Sequence, residues 1–222
     1  MTRRTLDITF AVGGVVFAAL FLVLALLLRY EYNFAKDYVH DQLGQQKIVF
    51  ATADKLTDEE KNWKPGSQCL VDYAGQTMVT GKQAECYANY YIAMHMDRSA
   101  KAAGWQGETY ATMGSIRTDL SAQITAAKDK GDTAGAADLQ KKLDAATSLR
   151  STFQTGETLR GLLLTSYGFS IFGDKAGQVM LVMFGLAAVM AVLSAAGFVH
   201  ALVTPRDKVV GVFAARPVES KA

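Results

Sequence analysis

The sequence is poor in proline, histidine and cysteine. Its 222 residues include three Pro, three His and two Cys. Two cysteines are too few to frame a small disulfide-rich domain. Half of the residues are hydrophobic and only 20% are charged, which excludes a disordered chain. The net charge of +2 excludes a nucleic-acid-binding protein that acts through bulk positive charge.

Catalytic motifs are missing as well. The sequence contains no G-x-S-x-G nucleophile elbow, no H-E-x-x-H zinc motif and no G-x-x-x-x-G-K-[ST] phosphate loop. Serine, aspartate and histidine are present, but no spacing among them suggests a catalytic triad. We therefore predict that the protein is not an enzyme and needs no cofactor.

Two long hydrophobic runs stand out from this background. Residues 8–28 contain no charge, and 18 of these 21 are hydrophobic. Residues 176–203 contain no Asp, Glu, Lys or Arg, and 22 of 28 are hydrophobic. A helix rises about 1.5 Å per residue, so each run can cross a hydrocarbon core about 30 Å thick. The first run lacks a small-residue cleavage site, which favours a retained anchor over a signal peptide.

The charges beside the two runs predict the topology. Arg3 and Arg4 outweigh Asp7 at the N-terminus, and the C-terminal tail is also net positive. The segment 29–175 has 17 Lys and Arg against 18 Asp and Glu. Short positive flanks stay in the cytoplasm, so we predict a plasma-membrane protein with both termini cytoplasmic. The predicted parts are a cytoplasmic N-terminus (1–7), transmembrane helix 1 (8–28), an exoplasmic domain (29–175), transmembrane helix 2 (176–203) and a cytoplasmic tail (204–222).

The exoplasmic segment has mainly helical patterns, so the predicted fold is an all-α membrane protein with two transmembrane helices flanking a mainly helical exoplasmic domain. The first helix should continue to Gly44, and Lys47–Ala51 should be extended. A capping box predicts a helix after Thr57. Further helices are expected at 81–98, from Ser115 to Gly131, from Asp132 or Thr133 onward, and at the membrane interface over 158–172, where Gly173-Asp174-Lys175 should interrupt the chain.

Both cysteines, Cys69 and Cys86, fall in the predicted exoplasmic segment. An oxidising compartment permits a disulfide, and the even count favours one. The alternative, a metal or redox pair, has little support because the sequence has no C-x-x-C and no histidine beside either cysteine.

Met94-His95-Met96 carries side chains that can bind copper. On a helix, however, residues two apart point about 200° from each other, so these side chains cannot close on one ion. A site would need His40, Met78 or Met113 as well, and we therefore predict buried packing rather than a metal. His200 lies near the cytoplasmic end of the second run, where its ring can reach the interface.

Small residues recur along both runs. Small side chains allow helices in lipid to approach closely, so we predict helix packing in the membrane, either between the two runs or with a partner's helices. The residues concerned are Gly14, Ala18 and Ala25 in the first run and Ala187, Ala191 and Ala195 in the second.

Three stretches, Tyr73–His95, Gly107–Ala111 and Gly156–Leu164, resemble a group of actinobacterial two-span membrane proteins of unknown function. Some members carry a label as aromatic ring-opening dioxygenases. Such enzymes need a compact iron site of histidine and carboxylate ligands, whereas His40, His95 and His200 fall on different predicted elements. The group's common Gly-Gly-Lys-Thr-Tyr form is also replaced by Gln106-Gly107-Glu108-Thr109-Tyr110. The resemblance implies topology and lineage, not an activity.

The leading hypothesis is a non-enzymatic accessory or scaffold subunit of a larger plasma-membrane complex. Its expected partners are the lipid bilayer and membrane-protein subunits, without nucleic acid. Respiratory and copper-oxygenase complexes are hosts of this type, and nothing in the sequence selects one. The alternative is a sensor-like membrane protein whose exoplasmic domain binds a ligand or metal. An enzyme is the third hypothesis, with His95 as its best candidate residue.

Overall fold

A computed structural model describes residues 2–205, and most of these residues are helical. The predicted tail, 204–222, lies outside the described residues apart from Thr204 and Pro205. A π-helical segment, Tyr87–Ile92, separates α4 from α5. The α-helices are α1 (Arg3–Gln45), α2 (Asp58–Asn62), α3 (Cys69–Asp72), α4 (Gly81–Cys86), α5 (Ala93–Ala102), α6 (Tyr110–Asp129) and α7 (Thr133–Val203).

The chain divides into two compact units. Unit 1 contains the described residues up to Phe34 and from Gly173 onward, and unit 2 is Ala35–Phe172. The helices α1 and α7 are each long and apolar enough to cross a membrane. The two hydrophobic runs of the sequence lie within these two helices, as predicted.

Unit 1 consists of two helical segments that meet along a seam of small residues. On α7, Ala187, Ser194 and Ala201 are buried at intervals of seven residues. Seven residues make two turns at 3.5 residues per turn, a repeat that is typical of helices that pack side by side over a long distance. Gly14 faces this seam, because a Cβ atom added there would collide with the Ser194 hydroxyl. The absence of a side chain at Gly14 therefore lets the two helices approach closely.

The seam uses only part of the predicted small-residue set. Ala25 and Ala187 are buried and Ala18 is half-buried, but Ala191 and Ala195 are exposed. The four-residue spacing of Ala187, Ala191 and Ala195 drifts away from a seam that repeats every 3.5 residues. Ser194 and Ala201, which were not predicted, are buried instead of Ala191 and Ala195, and Ser194 lies against Gly14 of α1.

Two predicted helix boundaries are wrong. Helix α7 continues through Gly173-Asp174-Lys175 without interruption. A glycine inside a helix costs only about 1 kcal/mol relative to alanine, which a long helix tolerates. Helix α6 begins at Tyr110 rather than near Ser115, because Thr109 and Thr112 form a reciprocal capping box. Threonine at the third position, in place of the usual Glu or Gln, hides this signal in the sequence.

Unit 2 is built around a conventional apolar core. Its fully buried side chains include Leu70, Met78, Met94 and Met113. The capping box of Thr57 and Glu60 begins α2 as predicted. The segment predicted to be extended pairs with the chain around Thr77 through a single antiparallel bridge at Val49. No strand forms among residues 2–205.

Candidate functional site

The π segment aligns three aromatic rings on one side of a helix. In an α-helix, a residue four positions on overshoots a full turn by about 40°. The wider π turn has more residues, so four of them fall short of a turn. The step from Tyr87 to Tyr91 falls short of a full turn, and the step from Tyr91 to His95 overshoots one. The two angular deviations cancel, so the three rings lie on one side. The ring centroids of Tyr87 and Tyr91 are 4.6 Å apart, and those of Tyr91 and His95 are 4.4 Å apart. We call these three residues the aromatic ladder.

Arg160 on α7 holds the π segment in place. Its Nε donates a hydrogen bond to the Ala88 carbonyl oxygen at 3.0 Å, and the Ala93 N–H donates to the same oxygen. Its guanidinium also donates to both carboxylate oxygens of Glu157, at 2.8 and 2.9 Å. A widened turn exposes backbone oxygens that need partners. The Glu157–Arg160 pair supplies one from a neighbouring helix.

One end of the ladder is fixed by a buried carboxylate. Glu60 is 7% exposed, and its Oε2 accepts hydrogen bonds from the N–H and hydroxyl of Thr57 at 2.7 and 2.9 Å. Its Oε1 lies 3.2 Å from His95 Nε2. Burial alone raises the pKa of Glu60, but the hydrogen bonds from Thr57 and His95 outweigh it and hold the pKa below its ordinary value. Glu60 is therefore ionised at neutral pH and orients the His95 ring.

An ion pair strengthens the same connection between α2 and α5. Arg98 donates to Glu59 at 2.7 Å, one turn along from the pair of His95 and Glu60. This pair is largely exposed, so water screens it and its contribution to stability is small. Its role is to set the position of α2 against α5.

The other end of the ladder enters the apolar core. The Phe50 ring packs edge-on against Tyr87 with centroids 5.4 Å apart, and the Tyr73 ring also contacts Phe50, with centroids 5.5 Å apart. Burial, together with the neighbouring Tyr91, raises the pKa of Tyr87 to about 12. Tyr87 is therefore a neutral hydrogen-bonding group at any physiological pH.

The two cysteines meet directly before the ladder. Cys69 begins α3 and Cys86 ends α4; their sulfur atoms lie at disulfide-bonding distance and their Cα atoms are 6.1 Å apart. Gly66, with a φ of +102°, turns the chain into α3 against the hydroxyl of Tyr90, where an added Cβ would collide. The predicted pairing is thus sterically available, and it fixes the start of the π segment.

Two cavities flank the helix that carries the ladder. One, of about 500 Å³, is lined by Tyr91, His95 and Met96 and by Ser151, Thr155 and Gly156 of α7. The other, of about 560 Å³, has a mixed lining that includes Trp63, Asp97, Tyr110, Phe153, Glu157 and Arg160. Both volumes are in the range of small-molecule sites. We call the first one the ladder cavity.

The side chains considered for a metal do not converge. Met94 and Met96 are buried, and the His95 ring instead packs against Tyr91 and pairs with Glu60. Across the described residues, no group of three or more His, Cys, Asp and Glu side chains is placed to hold a metal ion. No local sequence signal identifies Glu60 as the partner of His95, because 35 residues separate them.

His200 has a partner that the sequence did not suggest. In unit 1, its Nδ1 lies 2.9 Å from the Asp7 carboxylate, and half of its side chain is exposed. The ring therefore reaches the surface and also bridges the two helices near their ends.

Comparison with known proteins gives no further guidance on these features. The chain matches no protein-family model, no curated protein and no solved structure.

Proposed function

We propose that this protein is a non-enzymatic accessory or scaffold subunit of a plasma-membrane complex. Its two apolar helices would anchor it in the bilayer, with both termini in the cytoplasm and unit 2 on the exoplasmic side. Complexes of the respiratory or copper-oxygenase type are candidate hosts. The two anchoring helices then have a second role, which is contact with the helices of a larger partner.

The proposal rests on the small residues that are exposed on α7. The seam within unit 1 leaves Ala191 and Ala195 exposed on the surface of α7. Gly185, on the same helix, also has no neighbour within 4 Å of where its Cβ would be. In lipid, small residues on an outer face allow another helix to approach closely. These positions therefore suit a partner's helix better than they suit lipid alone.

The side chains around the ladder fit a role without catalysis. Glu60 is held by Thr57 and His95, and Arg160 is held by Glu157 and the Ala88 carbonyl. Groups fixed by hydrogen bonds of this kind stabilise a structure; a nucleophile or proton donor needs access to substrate. The arrangement supports a rigid exoplasmic module.

The subunit proposal can be tested by purification from the native membrane in mild detergent. We expect a stoichiometric partner that is lost when Ala191 and Ala195 are both replaced by leucine, because the larger side chains block close approach. The matched control replaces Val192 and Val199, two exposed residues, by leucine and should keep the partner. A wild-type protein that migrates alone would overturn the proposal.

The topology can be tested with the cysteines and a membrane-impermeant thiol reagent. In intact cells, a cysteine introduced at Ser151 should be labelled and one introduced at Thr5 should not. The native Cys69 and Cys86 should resist labelling until the protein is reduced. Labelling of both native cysteines without reduction would refute the disulfide, and labelling at Thr5 in intact cells would refute the topology.

A second function, ligand binding by unit 2, is favoured by the ladder cavity. A cavity of about 500 Å³ lined by aromatic and hydroxyl side chains can hold a small molecule. Ligands that bind the folded state raise its melting temperature. We expect at least one member of a panel of metals, sugars, amino acids and quinones to stabilise the full chain; a flat response to the whole panel would overturn this function.

A further inference from the structure

The ladder cavity has two chemically different walls. The wall formed by Tyr91, His95 and Met96 is aromatic and apolar, and α7 contributes Ser151, Thr155 and Gly156 opposite. Gly156 packs so closely against Met96 that an added Cβ would collide with the sulfur, so the two helices are near each other beside the cavity. The cavity is therefore a slot between aromatic and apolar side chains on one helix and small side chains on α7.

The slot offers no charge to a ligand. Its lining residues, all within residues 2–205, include no Asp, Glu, Lys or Arg. The one titratable ring with a charged partner, His95, already pairs with Glu60. An ionised ligand would lose hydration here without gaining an opposite charge, which is costly. An uncharged ligand is therefore favoured.

Three hydroxyl groups in the slot are available as hydrogen-bond donors. The hydroxyls of Tyr91, Ser151 and Thr155 form no hydrogen bond with any other residue in the described part of the chain. The neighbouring hydroxyls of Ser99 and Thr152, by contrast, donate to the helix carbonyls of His95 and Ser148. Each free hydroxyl can donate to a ligand oxygen.

We infer that the ladder cavity binds an uncharged quinone. A quinone is flat, packs against aromatic rings and the Met96 sulfur, and carries only acceptor oxygens, which the three free hydroxyls match. A sugar fits less well, because it carries more hydroxyl groups than the slot has partners, and buried polar groups without partners cost free energy. The inference rests on the ligand-binding function proposed above and names its ligand class.

The test uses the full chain in zwitterionic lipid nanodiscs and isothermal titration with 1,4-naphthoquinone, with empty nanodiscs as the blank. Both cysteines are paired, so no free thiol reacts with the probe. We expect one saturable site per chain. The 2-sulfonate of the same quinone, which adds a negative charge to the same ring, should bind at least tenfold more weakly.

Variants locate the site. Ser151→Phe, at an exposed position, fills the slot and should weaken binding by at least tenfold. Thr155→Val removes one donor and should weaken it by about fivefold. Thr125→Val, an exposed threonine on α6, is the matched control and should change nothing. Binding no greater than that of empty nanodiscs, or equal in Ser151→Phe, would overturn the quinone inference. Stabilisation by another class of the panel would overturn it while leaving the ligand-binding function intact.

Discussion

The two units differ in the size of the side chains that they bury. In unit 1 the buried positions are small, such as Gly14 and Ser194, and the large apolar side chains face outward. In unit 2 large side chains such as Leu70 and Met113 are inside, and no large hydrophobic residue between Tyr110 and Leu159 is exposed in the described structure. Unit 1 is arranged for an apolar surrounding, and the part of unit 2 between Tyr110 and Leu159 is arranged for water. One helix, α7, meets both conditions by burying small residues such as Ser194 in unit 1 and large ones such as Phe153 in unit 2.

Truncation of one leucine in each unit tests the opposite packing most directly. Leu70→Ala, in the core of unit 2, should lower the free energy of unfolding by about 2–5 kcal/mol, because it leaves a cavity. Leu20→Ala, at a half-exposed position on α1, should change it by less than about 0.5 kcal/mol. Denaturant unfolding followed by circular dichroism measures both. Equal costs at the two positions would contradict the opposite packing of the units.

Two adjacent glycines on α1 test whether α1 and α7 pack along the seam in unit 1. Gly14→Leu should destabilise the helix pair by about 1–3 kcal/mol, because its side chain must displace Ser194. Gly13→Leu should be nearly neutral, because nothing lies within 4 Å of its Cβ position. Thermal denaturation of the full chain in detergent separates the two. If both variants behave alike, α1 and α7 do not pack along the seam described here.

The smallest expected effect tests the polar contacts of unit 2. Thr57→Ala should cost about 1 kcal/mol at neutral pH, because Thr57 caps α2 and binds the Glu60 carboxylate. The pKa of Glu60 lies below its ordinary value of 4.5, so its contribution is complete above pH 4.5 and is lost as the pH falls through the lowered pKa. The cost of Thr57→Ala should therefore shrink in acid.

The control for this pH dependence is Thr109→Ala. Thr109 caps α6 in the same way, but its partner Thr112 is neutral. Its cost should not vary between pH 3 and pH 7, as chemical unfolding at several pH values would show. A parallel loss at both threonines would mean that Glu60 is not the group that titrates.

Much of the helical order was predictable from local signals. The stop near Gly44, the capping box at Thr57 and the start of α7 after Asp132 depend on residues within one turn of each other. Such signals are short and chemically specific. The two apolar runs were equally clear, because an uncharged stretch of that length has few other uses.

The ladder and the seam were not predictable in the same way. Tyr87, Tyr91 and His95 are four residues apart, a spacing that brings side chains close together on a helix, but no local signal predicts the π segment that aligns them. The pairing of His95 with Glu60 depends on how the chain folds back over 35 residues. A four-residue repeat and a 3.5-residue repeat differ by only half a residue per turn. The residue types alone do not show which of the two repeats lies in the seam.

The π segment is equivalent to an α-helix that contains one extra residue. It holds six residues, Tyr87–Ile92, and they turn the helix by about as much as five residues of regular α-helix. Loss of a single codon within it would therefore return the helix to regular α geometry and leave α5 on nearly the same face, with His95 still beside Glu60. The same loss inside a regular α-helix rotates everything after it by about 100°. The segment thus behaves in the gene as a removable insertion.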